Sequence, residues 1–419
     1  MKIRLAALAL CVLVITSCGG NIAPDRDGEE TAVDNMNGNS FGEDFEFLKK
    51  HKEVVLITDE EGNGMAAIVP DWQARVMTSA CDGMGGTSFG WINYDHIESG
   101  EIAPHINAYG GEDRFWMGPE GGQYSIFFSQ GDEFDLDHWQ TPAFIDTEPF
   151  EVLSVGKAEA SFNRDVEVTN YSGTEFSLGI IRTVRMILAE RTGEILSGAD
   201  LQGLNYVAFE TENRVVNQGE KPWERDKGLL SIWILGMYTP SPKTTIIAPY
   251  KSGPKIDGPV VNDEYFGKVP PDRLRVGNKA VFFSGDGNYR SKIGLNQERA
   301  RDVLGSWDAS RNVLTVVKFN KPEEAAGYVN SMWEIQEEPY SGDVSNCYND
   351  GVPSPGEEPL GPFYELETSS PALALNPGEE AVHFHRTFHF MGPRETLNSL
   401  AETVLGVSLD EAESAFAVE

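Results

Sequence analysis

The chain has 419 residues, with 66 acidic against 33 basic side chains and a formal net charge of −33. That balance excludes nucleic acid and anionic membrane surfaces as electrostatic partners, and fits a solvated acidic surface or cation binding. Of the four cysteines only Cys81 and Cys347 lie beyond the first eighteen residues, free either to pair or to be buried singly.

In chain order, residues 1–17 read as a secretion signal. Lys2 and Arg4 precede an apolar run from Leu5 to Ile15, which is shorter than the roughly 20 residues a membrane-spanning helix needs. The run ends in Ile15-Thr16-Ser17-Cys18, which resembles the lipobox of bacterial lipoproteins. That resemblance implies cleavage before Cys18, lipidation of its thiol, and anchoring of the chain to a bacterial cell-envelope membrane through lipid. Residues 18–40, rich in Gly, Asp, Glu and Asn, read as a disordered tether. A short helix is expected over Phe41 to His51, opening a domain that runs to residue 395. Between Val54 and Phe390 many short apolar stretches are punctuated by Gly, Pro, Asn and Asp, among them 65–69, 74–80, 124–128, 150–155, 160–170, 177–188, 207–216, 229–238, 244–250, 280–285 and 312–319. Strands in that number without long helices predict an all-β, antiparallel sandwich or barrel. Residues 396–419 show helical spacing and a capping-box pattern at Ser408 to Glu411, and are expected as short helices packed on a sheet edge.

The stretch from Gly361 to Phe390 carries most of the chemistry. Period-two alternation puts Glu365 and Glu367 on one strand face, with Tyr364, Leu366 and Thr368 on the other. In the following strand His383, His385, Thr387 and His389 share a face, opposite Phe384, Arg386, Phe388 and Phe390. Asn376-Pro377-Gly378 reads as a hairpin turn between the two halves. The His383 and His385 imidazoles have the spacing of a metal-ligand pair. His389, about 13 Å further along the strand, cannot complete their set. No cofactor is required by this reading, and a divalent metal at His383 and His385 is the alternative it leaves open.

Several segments resemble the galactose mutarotase-like (aldose 1-epimerase-like) superfamily, in a bacterial lipoprotein branch. Ala66 to Met77 is similar to its opening strand pair, Asn107 to Gly122 to a Gly-Gly-acid-Arg-x-Trp segment, and Leu366-Glu367-Thr368, Pro377-Gly378-Glu379, Thr387 and Phe390 to its closing strands. The resemblance implies a large antiparallel β-supersandwich with a sugar or oligosaccharide as partner, and places Glu367 at the position of the epimerase general base. The epimerase histidine belongs midway along the chain. The corresponding segment, Glu212 to Trp223, has none, and no histidine stands between His138 and His383. A C-terminal histidine, His385, is therefore the expected proton donor beside Glu367.

Two polar and aromatic clusters are candidate substrate-binding segments. Glu112, Asp113, Arg114, Trp116 and Glu120 offer bidentate groups for vicinal hydroxyls and an apolar face for a pyranose. Trp333 to Gln336 with Asp343 and Asn346 suits a sugar-binding rim, and Glu365 is a further acceptor. Gly-rich Asp82 to Gly90 lacks the Gly-Lys-Ser/Thr of a phosphate loop. The expectation is an exported lipoprotein that binds a carbohydrate and acts on it by glutamate acid/base chemistry of epimerase, lyase or hydrolase type. The alternatives are a non-catalytic glycan-binding lipoprotein and a structural envelope protein.

Overall fold

Alternating apolar positions build two large sheets that face one another. The computed structural model describes residues 38–416 except 254, 255, 257, 354 and 355, so the expected signal, Cys18 and nearly all of the tether lie outside the described residues. Eighteen strands, β1 to β18 along the described chain, form three sheets in which every paired neighbour is antiparallel. A small sheet joins β1 (Val55–Thr58), β2 (Met65–Val69) and β3 (Arg75–Ala80).

The ten-stranded sheet runs β11 (Leu274–Val276), β12 (Ala280–Ser284), β10 (Thr244–Pro249), β14 (Val303–Asp308), β15 (Val313–Phe319), β18 (Glu380–Met391), β8 (Asn205–Asn217), β7 (Glu175–Met186), β6 (Glu159–Thr169) and β5 (Glu151–Val155). Opposite it, the five-stranded sheet runs β13 (Ser291–Asn296), β16 (Asp343–Asn349), β17 (Tyr364–Ser369), β9 (Ser231–Tyr238) and β4 (Arg114–Gly118). The all-β, antiparallel sandwich is the architecture the sequence predicts.

The core lies between the two sheets. Ile293, Val344, Leu366 and Tyr364 of the smaller sheet meet Ile246, Val281, Leu304 and Val317 of the larger one, while Phe115, Ile232 and Ile234 meet Phe162, Phe176 and Ile180. Each such side chain contributes about 1.5–3 kcal/mol on burial.

Helix α1 (Phe41–His51) begins at a Ser40–Glu43 capping box and buries Phe41 and Leu48. Two short helices follow, α2 (Tyr94–Ser99) and α3 (Ala189–Ile195), and then α4 (Arg394–Val404) and α5 (Leu409–Glu413), the last opened by the expected Ser408–Glu411 box. These last two do not pack on a sheet edge. Leu397, Leu400 and Leu409 cover the outer face of the large sheet at Trp307, Leu314, Phe388 and Phe390, because those four side chains would otherwise expose an apolar patch. No helix of the described residues is long and apolar enough to cross a membrane.

Two other expectations are corrected, and the open alternative for Cys81 and Cys347 is decided. Residues 124–128 form a buried loop, not a strand. The turn at Asn376–Gly378 exists, with Glu379 N donating to Asn376 O, but the segments it separates do not pair: β17 bonds β16 and β9, and β18 bonds β15 and β8. The turn carries the chain from one sheet to the other. Cys81 and Cys347 are both buried, unpaired thiols in different core clusters.

Candidate functional site

The five-stranded sheet has one face in the core, and the other forms the floor of a cleft. Period two sorts its residues. On β9, Ile232, Ile234 and Tyr238 go into the core, while Ser231, Trp233, Leu235 and Met237 line the cleft. On β4, Phe115 and Met117 go inward and Arg114, Trp116 and Gly118 outward. On β17, Leu366 and Tyr364 are core residues and Glu365 and Ser369 line the cleft. Lys292 of β13 and Asp343 and Asn346 of β16 complete the floor. Loops carrying Leu136, Trp139, Tyr265, Phe266, Glu120 and Trp333 form the walls. Two compartments of about 390 and 330 Å³ share Glu120, Leu136, Trp233, Phe266, Arg290, Lys292 and Trp333, in the size range of small-ligand sites.

Ion pairs organise the floor. Lys292 Nζ donates to Glu367 Oε2 at 2.9 Å, and Trp233 Nε1 donates to the same oxygen at 3.0 Å. Arg114 is paired with Glu365 and lies over the Trp116 ring, 5.3 Å from its centroid. Asn346 and Glu367 are direct cross-strand neighbours. Tyr265 Oη donates to Asp343 Oδ2 at 2.6 Å, and Asn346 Nδ2 donates to Tyr265 Oη at 3.1 Å. Gly294 makes room for this group: a Cβ there would lie 2.0 Å from Asp343 Oδ2 and 2.7 Å from Asn346 Nδ2.

Desolvation governs the titration of the cleft. Burial pushes Glu365 up to about 8; Arg114 opposes that shift and Glu367 adds to it. Burial also raises Glu120, with Glu367 adding to the shift and Lys292 and Trp333 opposing it. Asp343 is raised by burial against the hydrogen bond from Tyr265. Burial pulls Lys292 down, but Glu367 and Glu120 outweigh it and hold its ammonium above the ordinary value.

Aromatic faces complete the site. Trp116 and Trp233 meet edge to face at 5.6 Å, and Trp139 stacks on Trp333 at 5.9 Å. Trp116 Nε1, Arg114 Nε and Glu367 Oε1 are buried without a partner among the described residues.

Of the residues singled out from sequence, the structure gathers Arg114, Trp116, Glu120, Glu365, Asp343, Asn346 and Trp333 around one cleft. Glu367 is fully buried beneath its floor, holding Lys292. Glu112 and Asp113 are turned into the core, contrary to expectation. Glu112 meets His389 at 2.6 Å, and Asp113 pairs with Arg182 and accepts from Thr211. His385 is also corrected: it lies between the sheets, fully buried, on the opposite side of the five-stranded sheet from the cleft. Its Nδ1 and His383 Nε2 both converge on the Thr368 hydroxyl, at 2.9 and 2.8 Å. Burial lowers His383 to about 3 and His385 to about 4, so neither imidazole is a proton donor for Glu367. Among the described residues no group of three or more His, Cys, Asp or Glu could hold a metal ion, and the pair at His383 and His385 shares a hydroxyl instead.

Sequence reasoning missed Trp233, Tyr265, Arg290 and Lys292. Trp233 hides in a run that is apolar on both faces. Lys292, a lone cation within Ser-Lys-Ile-Gly-Leu, was the one legible signal.

Fold and site together define a class: a large antiparallel β-sandwich whose smaller sheet bears an acid- and tryptophan-lined cleft. The chain belongs to a family of unknown function, DUF6786, whose model matches residues 39–416. No curated protein matches it. Similar solved structures include the Slr1438 protein of Synechocystis sp. PCC 6803, 12% identical over 82% of this chain and 96% of that one, with a TM-score of 0.46. A galactose mutarotase-like protein from Lactobacillus casei ATCC 334 is 10% identical over 81% and 100%, with a TM-score of 0.45. A galactose mutarotase related enzyme from Lactobacillus acidophilus is 10% identical over 80% and 97%, with a TM-score of 0.43.

Proposed function

We propose that the cleft binds a saccharide and moves protons on it through its wall and floor carboxyls. One observation carries this reading: tryptophan faces and bidentate polar groups converge on the same cavity, with Trp116, Trp233 and Trp333 beside Glu120, Glu365, Arg114 and Lys292. Pyranose rings offer apolar C–H faces to indoles and hydroxyls to carboxylates and cations, so this mixture matches their chemistry. Glu120 borders both compartments and is raised by burial. A carboxyl tuned upward can donate or accept a proton near neutral pH. Glu367 acts as a positioning residue that fixes the Lys292 ammonium.

A second reading, a glycan-binding protein without turnover, is favoured by the ion pairs that already occupy Glu365 and Glu367. Glu120→Gln separates the two. If the chain is an enzyme, the variant keeps saccharide affinity within about threefold and loses turnover by 100-fold or more. Binding with no turnover in either form leaves the binding protein.

We further propose that the chain is exported and lipid-anchored in a bacterial cell envelope, on the strength of the Ser17-Cys18 pattern behind its apolar run. Cys18→Ala should abolish incorporation of labelled fatty acid. Unchanged labelling would refute the anchor.

A further inference from the structure

Among the described residues three cations border the cleft, and two of them are hydrogen-bonded to carboxyl groups of the floor: Arg114 to Glu365 and Lys292 to Glu367. The third, Arg290, borders both compartments. It forms no salt bridge, and its side chain donates no hydrogen bond, to any described residue. In a chain with twice as many acidic as basic side chains, an unpaired guanidinium at a cleft wall calls for an explanation. Asp350, which feels its field, is engaged elsewhere, accepting from Tyr348 Oη at 2.7 Å and from Gly361 N at 2.9 Å. The Arg290 guanidinium lies over the Phe266 ring, 4.1 Å from the centroid. That stacking fixes the plane of the fork and leaves its N–H edges for a planar acceptor.

We propose that the saccharide bound in this cleft carries a carboxylate, as a uronic acid unit does, and that Arg290 receives it as a bidentate partner. Arg–carboxylate pairs are specific to this geometry. Lys292, whose ammonium Glu367 and Glu120 hold above its ordinary value, adds a second positive charge to both compartments. The inference rests on the saccharide reading above and narrows it to an acidic class.

Calorimetric titration of the full chain in detergent tests it. The probes are oligogalacturonate, oligomannuronate, their carboxyl-reduced neutral counterparts, and a sulfated neutral oligosaccharide. A uronate should bind at least tenfold more tightly than its reduced counterpart, and the preference should weaken with added salt. Arg290→Ala should cut uronate affinity at least tenfold and abolish the preference over the reduced counterpart, and Arg290→Lys, which keeps the charge but loses the fork, should retain only part of it. Equal or tighter binding of the neutral member, a preference that survives Arg290→Ala, or selective binding of the sulfated sugar would overturn the carboxylate assignment alone. Binding of no member overturns the saccharide reading and this inference with it.

Discussion

Replacing Lys292 with methionine tests how the cleft floor is held. The ammonium sits 2.9 Å from Glu367 Oε2, with the two side chains 10% and 0% exposed. At that distance and an effective dielectric near 20 the gross attraction is about 6 kcal/mol. Desolvation offsets much of it, so the whole pair is worth far less than breaking one half. Methionine fills the lysine stem's volume but leaves the Glu367 carboxylate buried, with Trp233 as its one remaining donor among the described residues. Removing one partner of such a pair costs about 3–5 kcal/mol. Glu367→Gln should cost less, because Glu120 still offers the ammonium a counter-charge. Urea unfolding of both single variants and the double variant at pH 7 gives the coupling, expected at about 2–3 kcal/mol. Single losses below about 1 kcal/mol, with coupling near zero, would refute the argument that this pair holds the floor.

Other perturbations probe the same floor. Burial pushes the folded carboxyl of Glu365 up to about 8 from an ordinary 4.5, so the native state binds more protons than the unfolded state between those values. The stability this group gives is complete below about 4.5 and is lost as pH rises through 8, with a slope of at most about 1.4 kcal/mol per pH unit. Glu365→Gln should flatten that part of the stability profile; an unchanged slope would show that Glu365 is not raised. Gly294→Ala places a methyl on Asp343 and Asn346 and should cost about 1–3 kcal/mol by overpacking. It should also weaken ligand binding in the compartment they line, as titration would show.

Much of this was legible locally. Alternation placed Glu365 and Glu367 on one face and the histidines of β18 on one face, and the structure has both rows. The capping boxes marked where α1 and α5 begin. What alternation cannot supply is the sheet to which a strand belongs. Glu367 and His385 are close in sequence, yet β17 and β18 lie in different sheets, and the glutamate and imidazole rows point to opposite sides of the smaller one. That relation is set by long-range pairing with β9 and β8, of which residues 361–390 hold no record.

The strands that carry the cleft were also the hardest to read. On β4, β13 and β16, polar residues and glycines stand where a half-buried strand would show clean alternation, as in Asp343-Val-Ser-Asn-Cys-Tyr-Asn349. Such segments resemble loops because both faces carry polar groups, one towards the cleft and one towards buried partners. The same exchange hid Glu112 and Asp113, whose carboxylates satisfy His389 and Arg182 in the core.

The most direct test of the central claim is the thermal midpoint of the full chain in detergent against a broad saccharide panel, repeated on Trp333→Ala. At 100 times its Kd a ligand adds about 2.7 kcal/mol of stability, which for a chain of this size raises the midpoint by a few degrees. A saccharide that gives this shift with the parent chain and loses it with Trp333→Ala is the predicted result. A panel that shifts nothing, or a shift that Trp333→Ala leaves intact, would contradict a saccharide site in this cleft.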